Sequence, residues 1–159
     1  RTSNTQQLLT HSVFRGAALF DFREFALQNL GVSQQAPGLS RSVTIASGAL
    51  AQAVQEKFRR DEPHPRIVEL ESMTLKDVAL IAATSSLLVI PADSKLLLPV
   101  ATFIPRGSLL IVVDSGEHVP RADRDFVEAA SHYQLHWLTK KQMLDAIHDL
   151  FQRNIHNFF

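Results

Sequence analysis

Two rhythms of apolar residues alternate along this chain. Short unbroken apolar runs, the mark of strands buried on both faces, are separated by stretches where apolar residues return every three or four positions, the mark of amphipathic helices. Leu8–Phe14 is the first predicted strand. A helix capped by Asp21 then turns Phe22, Phe25, Ala26 and Leu30 inward and stops at Gly31. Gln34–Ser40, with Pro37 and Gly38, is a loop, and Ser42–Ala46 a short strand. The spacing predicts a helix over Ala49–Arg60 with Leu50, Ala53, Val54 and Phe58 inward, closed by Pro63-His64-Pro65. Ile67–Leu70 is apolar but open between types. Thr74 and Asp77 have capping-box spacing ahead of Leu75, Val78, Ala79 and Ala82. Ser86–Ile90 reads as a buried strand and Leu96–Phe103 as a short helix despite Pro99. Leu109–Val113 is the clearest strand, ended by a turn at Ser115-Gly116. Two helices finish the pattern, Ala122–Tyr133 and Lys140–Arg153, the second capped by Thr139.

Strands alternating with helices predict an α/β fold: a single domain with a central mixed or parallel sheet flanked by helices, and a C-terminal helix. The expected division is a flexible tail over 1–7, an α/β body over 8–138 and an amphipathic helix over 139–159. At 159 residues, 45% hydrophobic and 20% charged, the chain has the length and composition to bury a core. Its 16 Lys and Arg balance 16 Asp and Glu, so no global field draws it to polyanions; nucleic-acid contact would need a local basic cluster. Cysteine is absent, which excludes disulfides, thiolate metal sites and cysteine nucleophiles. The longest apolar stretch is broken by Pro91, Asp93, Ser94, Lys95 and Pro99, so no membrane partner is expected. Numbering opens at Arg1, as after processing or trimming; a transit peptide would already be gone.

Familiar catalytic and phosphate-binding signatures are missing. There is no Walker loop, GxGxxG or GxSxG elbow, and the expectation is no enzyme, no catalytic residue and no cofactor. His132 and His136 stand four apart, as zinc ligands on one helix face would, but neither an intervening Glu nor a third ligand accompanies them, and no metal is expected. Asp114 follows a strand, where α/β enzymes place functional groups; with Ser115 and Gly116 it reads as a turn. Arg15, Arg23 and Arg41 are candidates to converge near the first strand–helix connection. Lys140 and Lys141 open a helix, a poor place for cations unless an anion joins them. In the last helix Met143, Leu144, Ile147, Phe151, Ile155 and Phe158 recur at helical spacing. Its early positions are expected to be core, and Ile147, Phe151, Ile155, Phe158 and Phe159 to dock on a partner.

In order, these pieces resemble the N-terminal domain of the large-subunit stalk-base ribosomal protein, the L-ten family, particularly its mitochondrial branch. The resemblance rests on Ser42–Val54 at the family's strand-to-helix motif, Ser85–Ile90 with Ala92-Asp93, Leu109–Val113 with Asp114–Glu117, and Trp137-Leu138-Thr139 leading into Lys140–Phe151. Ser47 and Gly48 stand in place of a Lys-Asn pair, Val113 and Asp114 in place of two glycines, and no Pro separates Leu138 from Thr139. The resemblance implies a structural constituent of the large ribosomal subunit in the mitochondrial matrix, with a cytoplasmic ribosome as the lesser alternative. Its implied partners are large-subunit rRNA, the other stalk-base protein and the acidic stalk proteins that recruit translation factors. Arg15, Arg41, Ser47, Gly48, Lys140 and Lys141 become the candidate rRNA or protein contacts.

A second, local resemblance covers Ile67–Val113, which is similar to the donor-side half of GT-B-type glycosyltransferases. Glu69-Leu70-Glu71, Leu87–Ile90 and Thr102-Phe103-Ile104-Pro105-Arg106-Gly107 carry it. That family places a His-Gly-Ala turn after its strand, where this chain has Pro91-Ala92-Asp93. The alternative expectation is such a half-enzyme, or a catalytically inert relative of one; because the turn that would approach the ligand is missing, the domain itself is expected to bind no sugar nucleotide.

Overall fold

The computed structural model describes residues 18–32, 42–58, 65–146 except positions 115, 117 and 131, and residue 149. The first predicted strand, the Gln34–Ser40 loop and everything from position 150 onward lie outside these residues. Five strands, β1 (Ser42–Ile45), β2 (Arg66–Ile67), β3 (Ser85–Pro91), β4 (Leu109–Asp114) and β5 (Gln134–Thr139), form one sheet in the order β2-β1-β3-β4-β5. Every neighbouring pair is parallel. The helices are α1 (18–29), α2 (Gly48–Phe58), α3 (Leu75–Ala83), α4 (Leu97–Phe103), α5 (Arg121–Ala129) and α6 (140–146), with a 3₁₀ turn at Leu70–Ser72.

A parallel sheet buried on both faces needs strands that are apolar at consecutive positions. β3 and β4 supply them: Leu87, Leu88, Val89, Ile90 and Leu109 to Val113 are all buried. Successive side chains point to opposite faces. Val43, Ile45, Leu87, Val89, Leu109, Ile111 and Val113 pack with Leu50, Ala51 and Val54 of α2 and Met143 of α6. Leu88, Ile90, Leu110 and Val112 pack with α3, α4 and α5, over which α1 lays Leu27. The α6 helix is thus seated in the sheet core by Met143.

Local chemistry explains most of the element ends. Thr74 Oγ1 caps α3 by accepting from the Asp77 N–H at 3.2 Å, and it donates its own proton to Asp77 Oδ2 at 2.8 Å, a side-chain pair at the spacing of the predicted capping box. At α6 the full reciprocal box forms: Thr139 N–H donates to Gln142 Oε1 at 2.9 Å and Gln142 N–H to Thr139 Oγ1 at 3.2 Å. Pro99 is tolerated because it lies in the first turn of α4, where its missing N–H has no helical acceptor. Gly31 leaves α1 with φ 66°, a conformation that favours glycine.

Four expectations are corrected. Asp21 lies inside α1, not at its cap, and Phe22 and Phe25 are 55% and 64% exposed. Ala26 and Leu30 do turn inward as expected, half-buried, but they share that face with Arg23, Leu27 and Leu19 rather than with Phe22 and Phe25. Leu75 is likewise 51% exposed while Val78, Ala79 and Ala82 are fully buried. Helix α5 ends at Ala129 rather than Tyr133, and the residues that follow lead into β5, a strand the periodicity analysis did not assign. Alternation of exposed Gln134 and His136 with half-buried Leu135 and Trp137 is the period of a sheet edge.

Candidate functional site at the carboxyl edge of the sheet

Because all five strands run the same way, their carboxyl ends share one edge. In a doubly wound sheet, ligands bind where the strand order reverses, between the first strand and the neighbour on its other side. Here that point lies between β1 and β3. The β1 end is Ala46-Ser47-Gly48: Ala46 N–H donates to Val89 O at 2.8 Å, and Ser47 O accepts the first bond of α2 from Ala51 at 2.8 Å. Ser47 therefore occupies the N-cap position, and Gly48 opens the helix.

Beside Gly48 stands an acid. After β2, Val68 N–H donates to Ile45 O at 3.0 Å and carries the chain along the end of β1, so that Glu69 faces the α2 N-terminus. A Cβ at Gly48 would lie 2.5 Å from Glu69 Oε1, so only glycine lets this carboxylate approach so closely. Glu69 is exposed, at the free end of a flexible side chain. On the far side of the switch point, Ala92 N–H donates to Val113 O at 2.9 Å and the turn exposes Asp93. Ser94 Oγ accepts from Leu96 N–H at 3.2 Å.

Farther along the edge, Asp114 Oδ1 accepts from Gly116 N–H at 2.8 Å, and Gly116 has φ 84°. This is the turn expected from the sequence. Lys140 and Lys141 are exposed in the first turn of α6, just after β5. The fold thus brings Ser47, Gly48, Lys140 and Lys141 to one edge, with about 14 Å between β1 and β5 at about 4.8 Å per strand step. Arg15, Arg41, Ile147, Phe151, Ile155, Phe158 and Phe159 lie outside the described residues.

Arg23 is 5% exposed and serves the fold instead: its Nε donates to Phe103 O at 2.9 Å, at the carboxyl end of α4. Its guanidinium also pairs with Glu24. His132 and His136 do not share a helix face. His132 is buried ahead of β5, with Nε2 3.1 Å from Ile104 O, and His136 is exposed within β5. Among the described residues no group of three His, Cys, Asp or Glu is placed to hold a metal ion.

Sequence reasoning passed over two features. Glu69 entered the sequence analysis only within the Glu69-Leu70-Glu71 segment of the glycosyltransferase resemblance, although its 21-residue separation from Gly48 (69 − 48) is the signal that finds it. Arg66, at the sheet's other end, donates through Nη2 to Thr44 Oγ1, Ile81 O, Thr84 Oγ1 and Ser85 Oγ at 3.0–3.2 Å. Half-burial lowers its pKa from the ordinary arginine value. It ties β1, β2, α3 and β3 together, a role only the fold reveals. No protein-family model matches this chain, and no curated protein sequence matches it.

Proposed function

We propose that this domain binds the nucleoside portion of a nucleotide-linked donor, as the donor-side half of a GT-B-type glycosyltransferase or a relative that retains the cleft without the chemistry. The carrying observation is the juxtaposition of Gly48 and Glu69 at the switch point of a doubly wound parallel sheet. Fold alone assigns no function, so the weight rests on that pair. In dinucleotide-binding sheets, glycine at the first strand–helix turn admits the phosphates to the helix N-terminus. An acid about 20 residues later, after the second strand, accepts from ribose hydroxyls. Gly48 and Glu69 hold those two positions, with the Ser47 hydroxyl beside them. The sequence argued against nucleotide binding from the absent His-Gly-Ala turn after β3. That argument concerned the β3 side of the cleft, whereas Gly48 and Glu69 line its β1–β2 side. Transfer chemistry is not part of the proposal.

Calorimetric titration of the protein with nucleoside diphosphates and their sugar conjugates tests it. Binding in the micromolar range is expected. Loss of the charge-assisted bonds in Glu69→Ala should weaken it about tenfold or more. Heats absent at millimolar ligand would refute the reading.

The stalk-base reading, the leading expectation from the sequence, becomes the second here, favoured by one observation: Ser47, Gly48, Lys140 and Lys141 share the carboxyl edge. On that reading the edge would face rRNA or a neighbouring ribosomal protein. Co-sedimentation with large ribosomal subunits in high salt, together with no nucleotide binding, would decide for it.

A further inference from the structure

At the amino edge, away from the proposed cleft, α1 is fastened to the body by a cluster with unusual electrostatics. His132 is 7% exposed. Its ring meets Phe20 of α1 edge-on at 5.5 Å and Tyr133 at 4.8 Å. Nε2 lies 3.1 Å from the Ile104 carbonyl, where it acts as donor, and Nδ1 is buried with no hydrogen-bond partner among the described residues. The Phe20 ring is flanked by two guanidinium groups, with Arg106 4.6 Å and Arg23 5.8 Å from its centroid. Both arginines repel positive charge at His132.

Carboxylates on the packed elements offer little compensation. Glu24 is engaged by Arg23, Glu128 of α5 is held by Arg124 at 3.0 Å, and Asp21 is exposed. Tyr133 is neutral, burial having pushed its phenol well above the usual tyrosine range, and it donates to Val127 O at 2.7 Å. The cluster therefore accommodates a neutral imidazole and opposes an imidazolium.

We propose that His132 and the Phe20–Arg23 turn of α1 form an acid-released latch, closed while His132 is neutral and opened when it gains a proton. Protonation places a third cation beside Arg23 and Arg106 and gives buried Nδ1 a proton with no acceptor among the described residues. Undocking α1 hydrates the imidazolium and separates it from Arg23. Burial lowers the pKa of His132 in the docked state, so the docked form binds fewer protons than the undocked one. Docking is therefore favoured fully above the ordinary histidine range and loses that advantage as pH falls below it. The Arg23–Phe103 bond and the seat of Leu27 are what release would break.

Hydrogen exchange of the full chain, read by peptide mass spectrometry between about pH 7.5 and pH 5 and corrected for intrinsic rates, tests the latch. Backbone amides of 18–30 should lose protection on acidification, by about tenfold for each pH unit separating the docked and undocked pKa of His132. Those of β3 and β4 should stay protected. In His132→Gln, whose side chain retains a donor for Ile104 O, α1 protection should become nearly independent of pH. The proposal is overturned if wild-type α1 is equally protected at both pH values, or if His132→Gln loses protection as the wild type does. Should His132→Gln fail a circular-dichroism check of folding, Arg106→Gln serves instead. Removing one like charge must shrink the acid-induced loss, and an unchanged loss overturns the latch.

Discussion

Met143→Ala asks whether α6 belongs to the domain or merely follows it. Met143 is fully buried in the cluster of Val43, Ile45, Leu87, Val89, Leu109, Ile111 and Val113. Truncation removes Cγ, Sδ and Cε, about 2.4 kcal/mol of transfer free energy at about 0.8 kcal/mol per methylene-sized group. A cavity between α6 and the sheet adds to this, giving about 3–4 kcal/mol, inside the roughly 2–5 kcal/mol seen for such truncations. Its neighbour Leu144 packs on the same cluster but is only half-buried, so Leu144→Ala should cost about 1–2 kcal/mol, less than its helical spacing suggested. Urea denaturation followed by far-ultraviolet circular dichroism measures both, with an unchanged m-value as the control for two-state behaviour. A Met143→Ala cost below about 1 kcal/mol would refute the reasoning.

Gly48→Ala should leave stability within about 0.5 kcal/mol of wild type, since the exposed Glu69 carboxylate can swing away from the new Cβ and alanine favours the helix. Nucleoside diphosphate affinity should nevertheless fall about tenfold, because the methyl group blocks the approach to the α2 N-terminus; calorimetry and thermal melting separate the two effects. Tyr133→Phe should cost about 1–2 kcal/mol in the same urea assay by leaving the buried Val127 carbonyl without its donor. Global stability should also decline with acid: desolvation lowers the pKa of His132 in the fold, so the unfolded chain takes up the proton first as pH falls. Melting temperatures measured from about pH 8 to pH 5 should therefore drop more steeply for wild type than for His132→Gln.

The sequence made the fold legible wherever local pattern and burial agree. β3 and β4 read correctly because each is apolar on both faces, β1 because Val43 and Ile45 alternate with Ser42 and Thr44, and α3 and α6 because their caps are spelled out within four residues. On α1 it placed Ala26 and Leu30 rightly but misled on their companions, because Phe22 and Phe25 on one side and Arg23 and Leu27 on the other both fit the helical period, and only tertiary packing chooses between them. β2 escaped because two residues carry no periodicity, and β5 because an edge strand alternates where the central strands do not. Of the candidate site, Ser47, Gly48, Lys140 and Lys141 were visible, but their common edge was not. It exists only because every strand runs parallel. Glu69 became informative once β2 was known to lie beside β1.

The most direct test of nucleotide binding at the switch point is a titration of isotope-labelled protein with uridine diphosphate, followed by amide chemical shifts. The account predicts saturable shifts concentrated at Ala46–Ala49, at Val68–Leu70 and at Ala92–Lys95, which meet at the carboxyl ends of β1, β2 and β3. Shifts confined to other parts of the chain, or none at millimolar nucleotide, would contradict it.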